Sequence, residues 1–309
     1  MRIALKVDVD TLRGYLEGVP RLLRLMDRRE IRGSFFFSFG PDNSGKAIRR
    51  IFRKGFISKM VRTNAPGTYG LKTMMYGTLL PAPMIVPSAP SILKKVAKSG
   101  QETGIHSWDH VKWQDRLDRL SKSEVESLLR KAGKMYREVL GTPSLSCAAP
   151  AWKTSLASLS IQDRMELLYA SDARGKSPFL PSLRGRVFRT PQIPTTLPTM
   201  DEILGRVGCT PDNVNDIYMS LLTEGLNVHT VHAEMEGMSM LSKLDEFVKR
   251  AKSDGAEFVT LKEEAEKLDT EKLPVCEMIQ GEIPGRAGAV SLQGREVYNL
   301  EDRGRSGGT

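Results

Sequence analysis

Eight short strand-like runs, many of them separated by stretches with helical spacing, constrain this chain more than any other feature of its sequence. The runs are Arg2–Val7, Ser34–Phe39, Glu102–Ile105, Leu145–Ala149, Leu168–Ala170, Arg186–Arg189, Leu226–Val231 and Glu257–Val259. Among the intervening stretches, Glu17 to Arg29 carries Val19, Leu22, Leu23 and Met26 on one side of a helix, and Ser239 to Ala251 is amphipathic in the same way. Ser121 to Leu140 opens with Ser121 and Glu124, spaced so that each side chain satisfies the other's backbone N–H, and Thr260 with Glu263 repeats the pattern. Strands that alternate with helices argue for a largely parallel sheet, because a helical crossover carries the chain back to the end from which the previous strand began. The expected fold is therefore α/β. Eight strands within 309 residues favour a barrel, whose chemistry sits at the C-terminal ends of its strands. The chain reads as one domain over residues 1–280, followed by a glycine-rich tail over 281–309 whose last dozen residues are expected to fray.

The charge is segregated. The chain has 46 Lys+Arg against 37 Asp+Glu, a net of +9. From Asn43 to Gln101 there is no acidic residue, while Lys46, Arg49, Arg50, Arg53, Lys54, Lys59, Arg62, Lys72, Lys94, Lys95 and Lys98 all fall there. Outside that insertion the balance is slightly acidic, so the basic excess belongs to one segment. Within it, Lys46 to Lys54 puts Ile48, Ile51 and Phe52 opposite five cations. After Gly55, Phe56, Ile57, Met60 and Val61 form a second apolar face. Such a basic amphipathic pair suits either an anionic membrane surface or a core-packing helix with a solvated face. Thr73 to Leu93 carries no charge and is long enough to span a bilayer, but Gly77, Pro81, Pro83, Pro87 and Pro90 break any continuous helix. It is expected to be an apolar loop that covers a cleft or touches lipid.

The first residues enter a strand at once, with no signal-peptide pattern, and three cysteines without CxxC spacing indicate neither a disulfide framework nor a cysteine metal site. A cytoplasmic protein, bound peripherally to the inner membrane face, is the expectation. No nucleic-acid motif accompanies the basic segment, and no nucleic acid is expected as a partner. Gly40 to Ala47 imitates a phosphate loop, but Ala47 replaces the hydroxyl that would hold Mg²⁺, and Pro41 removes a backbone donor.

The chemistry-bearing residues are few. The four histidines fall in two pairs, His106 with His110 and His229 with His232, each near the end of an expected strand. The i, i+4 spacing of the first pair suits two imidazoles on one helical face, as metal ligands require, although a surface pair would look the same. Asp8 and Asp10 end the first strand inside an apolar stretch, where Asp10 could instead simply cap the following turn. One aspartate with two histidines makes a three-ligand site with open positions, suited to zinc, cobalt or manganese and to metal-assisted hydrolysis. His229 falls on the opposite strand face from His232 and reads as structural. Glu234 and Glu236 are candidates for sugar contacts or for solvent; Trp108, Trp113 and Trp152 are candidates for stacking on a sugar or for the core.

Asp8-Val-Asp10, His106-x-x-x-His110 and the late strand ending in His232 resemble the polysaccharide deacetylases of the NodB-homology type. Further blocks make the resemblance specific: Gly40–Asn43, Gly104–His110, Ser171–Gly175, Gln192–Pro198, His232–Gly237 and Gly281–Arg286. Together they are similar to the branch that removes formate from undecaprenyl-phosphate-linked 4-deoxy-4-formamido-L-arabinose, a step in lipid A modification and polymyxin resistance. The resemblance implies a distorted (β/α)7 barrel with the basic, apolar segment as an insertion. It implies a divalent metal on Asp10, His106 and His110, Asp8 as general base and His232 as general acid. It also suggests that Asp172 orients His232 and that Arg174 holds Asp8. One motif departs: where such deacetylases carry Arg-x-Pro-Trp/Tyr, this chain reads Ala148-Ala149-Pro150-Ala151-Trp152, without the arginine. A general carbohydrate N-deacetylase and a non-catalytic lipid- or carbohydrate-binding module remain as alternative readings.

Overall fold

The computed structural model describes residues 1–46, 72–206 and 208–298. Its centre is β1, Arg2–Val9, buried along nearly its whole length. Odd residues Ile3, Leu5, Val7 and Val9 face a large core shared with the surrounding helices, whereas Ala4 joins a separate core with Phe36, Tyr169 and Val228. This two-residue alternation aims Ala4, Lys6 and Asp8 at the same face, the barrel interior.

Six strands continue the parallel sheet: β2 (Ser34–Ser38), β3 (Glu102–Ser107), β4 (Ser146–Cys147), β5 (Tyr169–Ala170), β8 (Leu226–His232) and β9 (Glu257–Val259). The order is β5-β4-β3-β2-β1-β8, with β9 on the lower part of β1. The register places Ala4 beside Val228, Lys6 beside Thr230 and Asp8 beside His232, so an apolar floor lies below a polar mouth. The gap between β5 and β8 is bridged by residues 191–197. Ile193 N donates to Ala170 O and Thr195 N to Ala173 O, while Thr196 N and Leu197 N donate to Val228 O. A proline-interrupted segment closes the ring in place of a regular strand, which makes the barrel a distorted one.

Helices Val19–Arg29, Lys122–Leu140 and Leu241–Ser253 form the outer layer, and the Ser121–Glu124 and Thr260–Glu263 capping boxes both form. The Arg186–Arg189 run is not a barrel strand. Arg184 (φ 53°) and Gly185 (φ 75°) make a tight two-residue turn, so β7 (Arg186–Val187) folds back on β6 (Leu180–Leu183). These two belong to a second sheet with order β11-β10-β6-β7, built with β10 (Val275–Gly281) and β11 (Val290–Tyr298). The segment after Gly281, expected as a tail, therefore returns as a paired strand through Tyr298; the frayed end expected beyond it lies outside the described residues.

The amphipathic pieces of the basic insertion at 46–54 and 56–61 also fall almost wholly outside the described residues. The neighbouring apolar stretch forms short turns that present Leu79, 80% exposed, and leads into helix Pro90–Lys98, whose Leu93 and Val96 join the main core. No described helix is long and apolar enough to cross a membrane. The phosphate-loop look-alike is occupied by its own fold: the amides of Gly40, Asp42, Ser44, Gly45 and Lys46 donate to Trp108 O, Pro83 O, Asp42 Oδ1, Tyr76 O and Asn43 O. Those N–H groups do not face a phosphate.

Candidate active site

Three elements bring the metal-ligand candidates together. Asp10 follows β1, His106 lies in β3, and His110 begins helix His110–Arg116. The two histidines thus bridge a strand-to-helix turn and do not share a helical face; Asp109 caps the helix by accepting from Lys112 N at 2.9 Å. Asp10 Oδ1 is 3.1 Å from His106 Nε2 and Asp10 Oδ2 is 3.2 Å from His110 Nε2, and the imidazoles stack with centroids 5.3 Å apart. One ligand atom from each residue lies within 4.8 Å of the others. Once the imidazoles are deprotonated, the three residues offer three donor atoms close enough together for one divalent cation. Burial alone would raise the Asp10 carboxyl, but the charge of His110 and hydrogen bonds to both imidazoles outweigh it and hold the group well below its ordinary value.

Asp8 sits one pleat before Asp10, 4% exposed. Its cation is Lys6, absent from the sequence expectations: Lys6 Nζ, fully buried, donates to Asp8 Oδ2 at 2.8 Å. The ammonium also lies 5.8 Å from the Phe36 ring and 5.2 Å from that of Trp152. Asp8 Oδ1 has no hydrogen-bond partner among the described residues. The signal for Lys6 was present in the strand, where a lone lysine shares the two-residue period of Asp8 and Asp10 inside an apolar run.

Arg174 does not hold Asp8. Its Nη1 donates to both oxygens of Glu202 at 2.9 Å and its Nη2 to Leu197 O at 2.8 Å. The chain after β5 turns it toward Leu197 of the closing segment. Among the described residues Asp172 has no hydrogen bond to His232. Asp172 Oδ1 accepts from Ala149 N at 2.6 Å and Oδ2 from Gln162 Nε2 at 2.6 Å, which ties β5 to the Trp152 loop. Burial raises this carboxyl to about 6, against the pull of Gln162, Ala149 and Lys6.

His232 ends β8 directly beside Asp8. Its amide donates to Glu236 Oε2 at 2.7 Å, and Glu236 is fully buried with its carboxyl raised to about 7 by that burial. Glu234 is 1% exposed, so neither glutamate sits in solvent. His229 packs against Tyr218 and Phe247 at 4.4 and 5.4 Å, and burial lowers it to about 3, so it is a neutral core residue. Trp113 and Trp152 are buried, and of the three tryptophans only Trp108 is half-exposed.

A parallel barrel whose mouth gathers a carboxylate and two imidazoles beside a buried lysine–aspartate pair is the architecture of a carbohydrate-amide hydrolase. The polysaccharide deacetylase family model matches residues 3–170, and the chain belongs to that family. A relative from Shewanella sediminis (strain HAW-EB3) is 39% identical over 295 residues, covering 94% of each chain. A second, from Wigglesworthia glossinidia brevipalpis, is 32% identical over 279 residues, covering 89% of this chain and 96% of that one. Both are named probable 4-deoxy-4-formamido-L-arabinose-phosphoundecaprenol deformylase ArnD. A polysaccharide deacetylase structure from Mycobacterium smegmatis shares the fold at TM-score 0.62 and 17% identity, covering 91% of this chain and 94% of that one.

Proposed function

We propose that this protein hydrolyses the formamide of 4-deoxy-4-formamido-L-arabinose carried on undecaprenyl phosphate, releasing formate and the free amino sugar. The observation that carries the reading is the convergence of Asp10, His106 and His110 within 4.8 Å, next to the Asp8–Lys6 pair. Near-full-length similarity to two relatives named as that deformylase supports the substrate.

Asp10, His106 and His110 would hold a divalent ion of zinc, cobalt or manganese type, which would supply Lewis acidity to the formamide. The protein's own groups move the protons. Lys6 fixes Asp8 through Oδ2, which leaves Oδ1 as the acceptor for the proton of the attacking water. A C–O bond forms at the formyl carbon and the C–N bond breaks. His232, on the neighbouring strand, donates a proton to the departing nitrogen, because an unprotonated amide nitrogen is a very poor leaving group. Asp8 and His232 are paired in register, so base and acid are held by one ladder of hydrogen bonds.

A lipid-carried substrate supports a reaction at a membrane surface, and the cytoplasmic face is the one this reading assigns. The basic insertion over 43–101 supports peripheral attachment to an anionic inner-membrane surface, and exposed Leu79 with Met74, Met75 and Leu80 nearby supplies an apolar contact. Chelation tests the metal reading directly. Formate release from the lipid-linked formamido sugar is expected to fall at least about a hundredfold after exhaustive chelation and to return with zinc, cobalt or manganese. Undiminished release from metal-free protein would sink it.

A further inference from the structure

The barrel mouth holds a second charged cluster to which the hydrolytic steps assign no task. Glu202, 2% exposed in its side chain, receives two guanidiniums: Arg174 at 2.9 Å and Arg286 Nη1 at 3.4 Å. Both guanidiniums also lie over the Trp152 indole, at 4.9 and 4.5 Å. Arg174 is further satisfied by Leu197 O. Arg286 makes only its one long hydrogen bond among the described residues, although its side chain is just 10% exposed. A guanidinium has five N–H donors, so among the described residues most of those on Arg286 stay open to a further acceptor. Two cations here share one carboxylate, so positive charge is left over.

The fold holds Arg286 in this position. Gly285, at φ 86°, lies so close to the Glu202 backbone that a Cβ would fall 2.0 Å from its carbonyl oxygen. Glycine is needed there on both counts. The following strand β11 is anchored on Arg174 itself, with Arg174 N donating to Ser291 O and Gln293 N to Arg174 O. Trp152 sits in the left-handed region at φ 49° after Ala151 at φ 55°, and its Nε1 donates to Thr195 Oγ1 at 3.0 Å. Non-glycine residues rarely adopt that region, and the hydrogen bond to Thr195 holds the platform on which both arginines stack. The same indole is 5.2 Å from Lys6 Nζ, which contacts Asp8, so Arg286 stands one ring away from the reacting centre.

We propose that Arg286, supported by Arg174, binds a phosphate group, and that this phosphate is the one joining the sugar to its lipid. The choice of phosphate rests on the deformylase reading; the anion site itself rests on the underpaired guanidinium. A planar fork of N–H donors matches phosphate oxygens in a way a lysine does not. The test is calorimetric binding of dodecyl phosphate and of inorganic phosphate to the metal-loaded protein, in wild type, Arg286→Gln, Arg286→Lys and the remote control Arg250→Gln. Dodecyl phosphate is expected to bind wild type and the control alike, and Arg286→Gln at least about tenfold more weakly, with Arg286→Lys between them. Equal binding by wild type and a folded Arg286→Gln overturns the site. Inorganic phosphate binding as tightly as dodecyl phosphate overturns the lipid source. If Arg286→Gln fails to fold, Arg286→Lys carries the comparison, and undiminished binding by it overturns the fork. The two readings separate cleanly. A wild type that releases no formate but loses dodecyl phosphate with Arg286→Gln sinks the deformylase reading alone, whereas formate release by Arg286→Gln at wild-type KM sinks the phosphate site alone.

Discussion

Lys6 is the residue on which the reacting end of the barrel depends most. It lies fully buried in the middle of β1, and its partner Asp8 is nearly as inaccessible. Breaking a buried ion pair by removing one member leaves the other charge without compensation, at a cost of about 3–5 kcal/mol. Lys6→Met is therefore expected to lower stability by that order in chemical denaturation, and to reduce kcat for formate release far more than it changes KM. A variant with wild-type kcat would show that Asp8 needs no cation. The position also explains the departure at Ala148. The arginine that deacetylases of this type carry at the Arg-x-Pro site is absent here, and a lysine two residues before Asp8 supplies the charge from the same strand.

At the scale of elements, the outer layer is fastened by a charged tie between two helices. Asp245 of helix Leu241–Ser253 accepts from Arg29 Nε at 2.7 Å and Nη2 at 2.9 Å, and Arg28 of the same helix Val19–Arg29 lies 3.0 Å away. The hydrogen bonds from Arg29 come first in drawing the Asp245 carboxyl down to about 2; burial opposes them and Arg28 adds to them. A carboxyl whose folded value lies below its unfolded value stabilises the fold above the unfolded value. That contribution disappears as the pH drops toward the folded one. Stability measured by denaturation is expected to lose about 1 kcal/mol between pH 4 and pH 2 through this group, a modest figure because the pair is partly exposed. In Asp245→Asn that part of the slope should vanish; an identical slope would assign the acid sensitivity elsewhere. The elements that were legible in the sequence are those with a strong local signal. β1 and β2 announce themselves by apolar runs, β8 by apolar residues interleaved with polar ones, and both capping boxes by their residue spacing. The second sheet was not legible, because β6 and β7 are joined by an Arg-Gly turn with little periodicity around it, and β11 follows a glycine-rich stretch that resembles a tail. Residues 191–197 carry prolines that argue against a strand, yet they close the barrel through backbone bonds to both neighbours.

For the molecule as a whole, the site was readable where the chemistry is local to a strand end and unreadable where it depends on tertiary pairing. Asp8, Asp10, His106, His110 and His232 stand out as polar groups at the ends of buried strands, and the barrel collects them at one mouth. Arg174 and Asp172 are on the same rim, but their partners are Glu202, Leu197, Ala149 and Gln162, contacts that no spacing rule reveals. The proposed membrane contact also belongs to this scale. Leu79→Asp is expected to weaken binding to anionic liposomes by about fivefold or more while leaving metal content intact, since a charge on the exposed apolar turn opposes insertion; unchanged liposome binding would remove that turn from the contact. The central claim is a choice of acyl group, and one measurement addresses it most directly. The purified protein is offered the formamido sugar on undecaprenyl phosphate and its acetamido analogue, and formate and acetate are quantified side by side. The account predicts formate as the dominant product, and acetate released as readily as formate would contradict it.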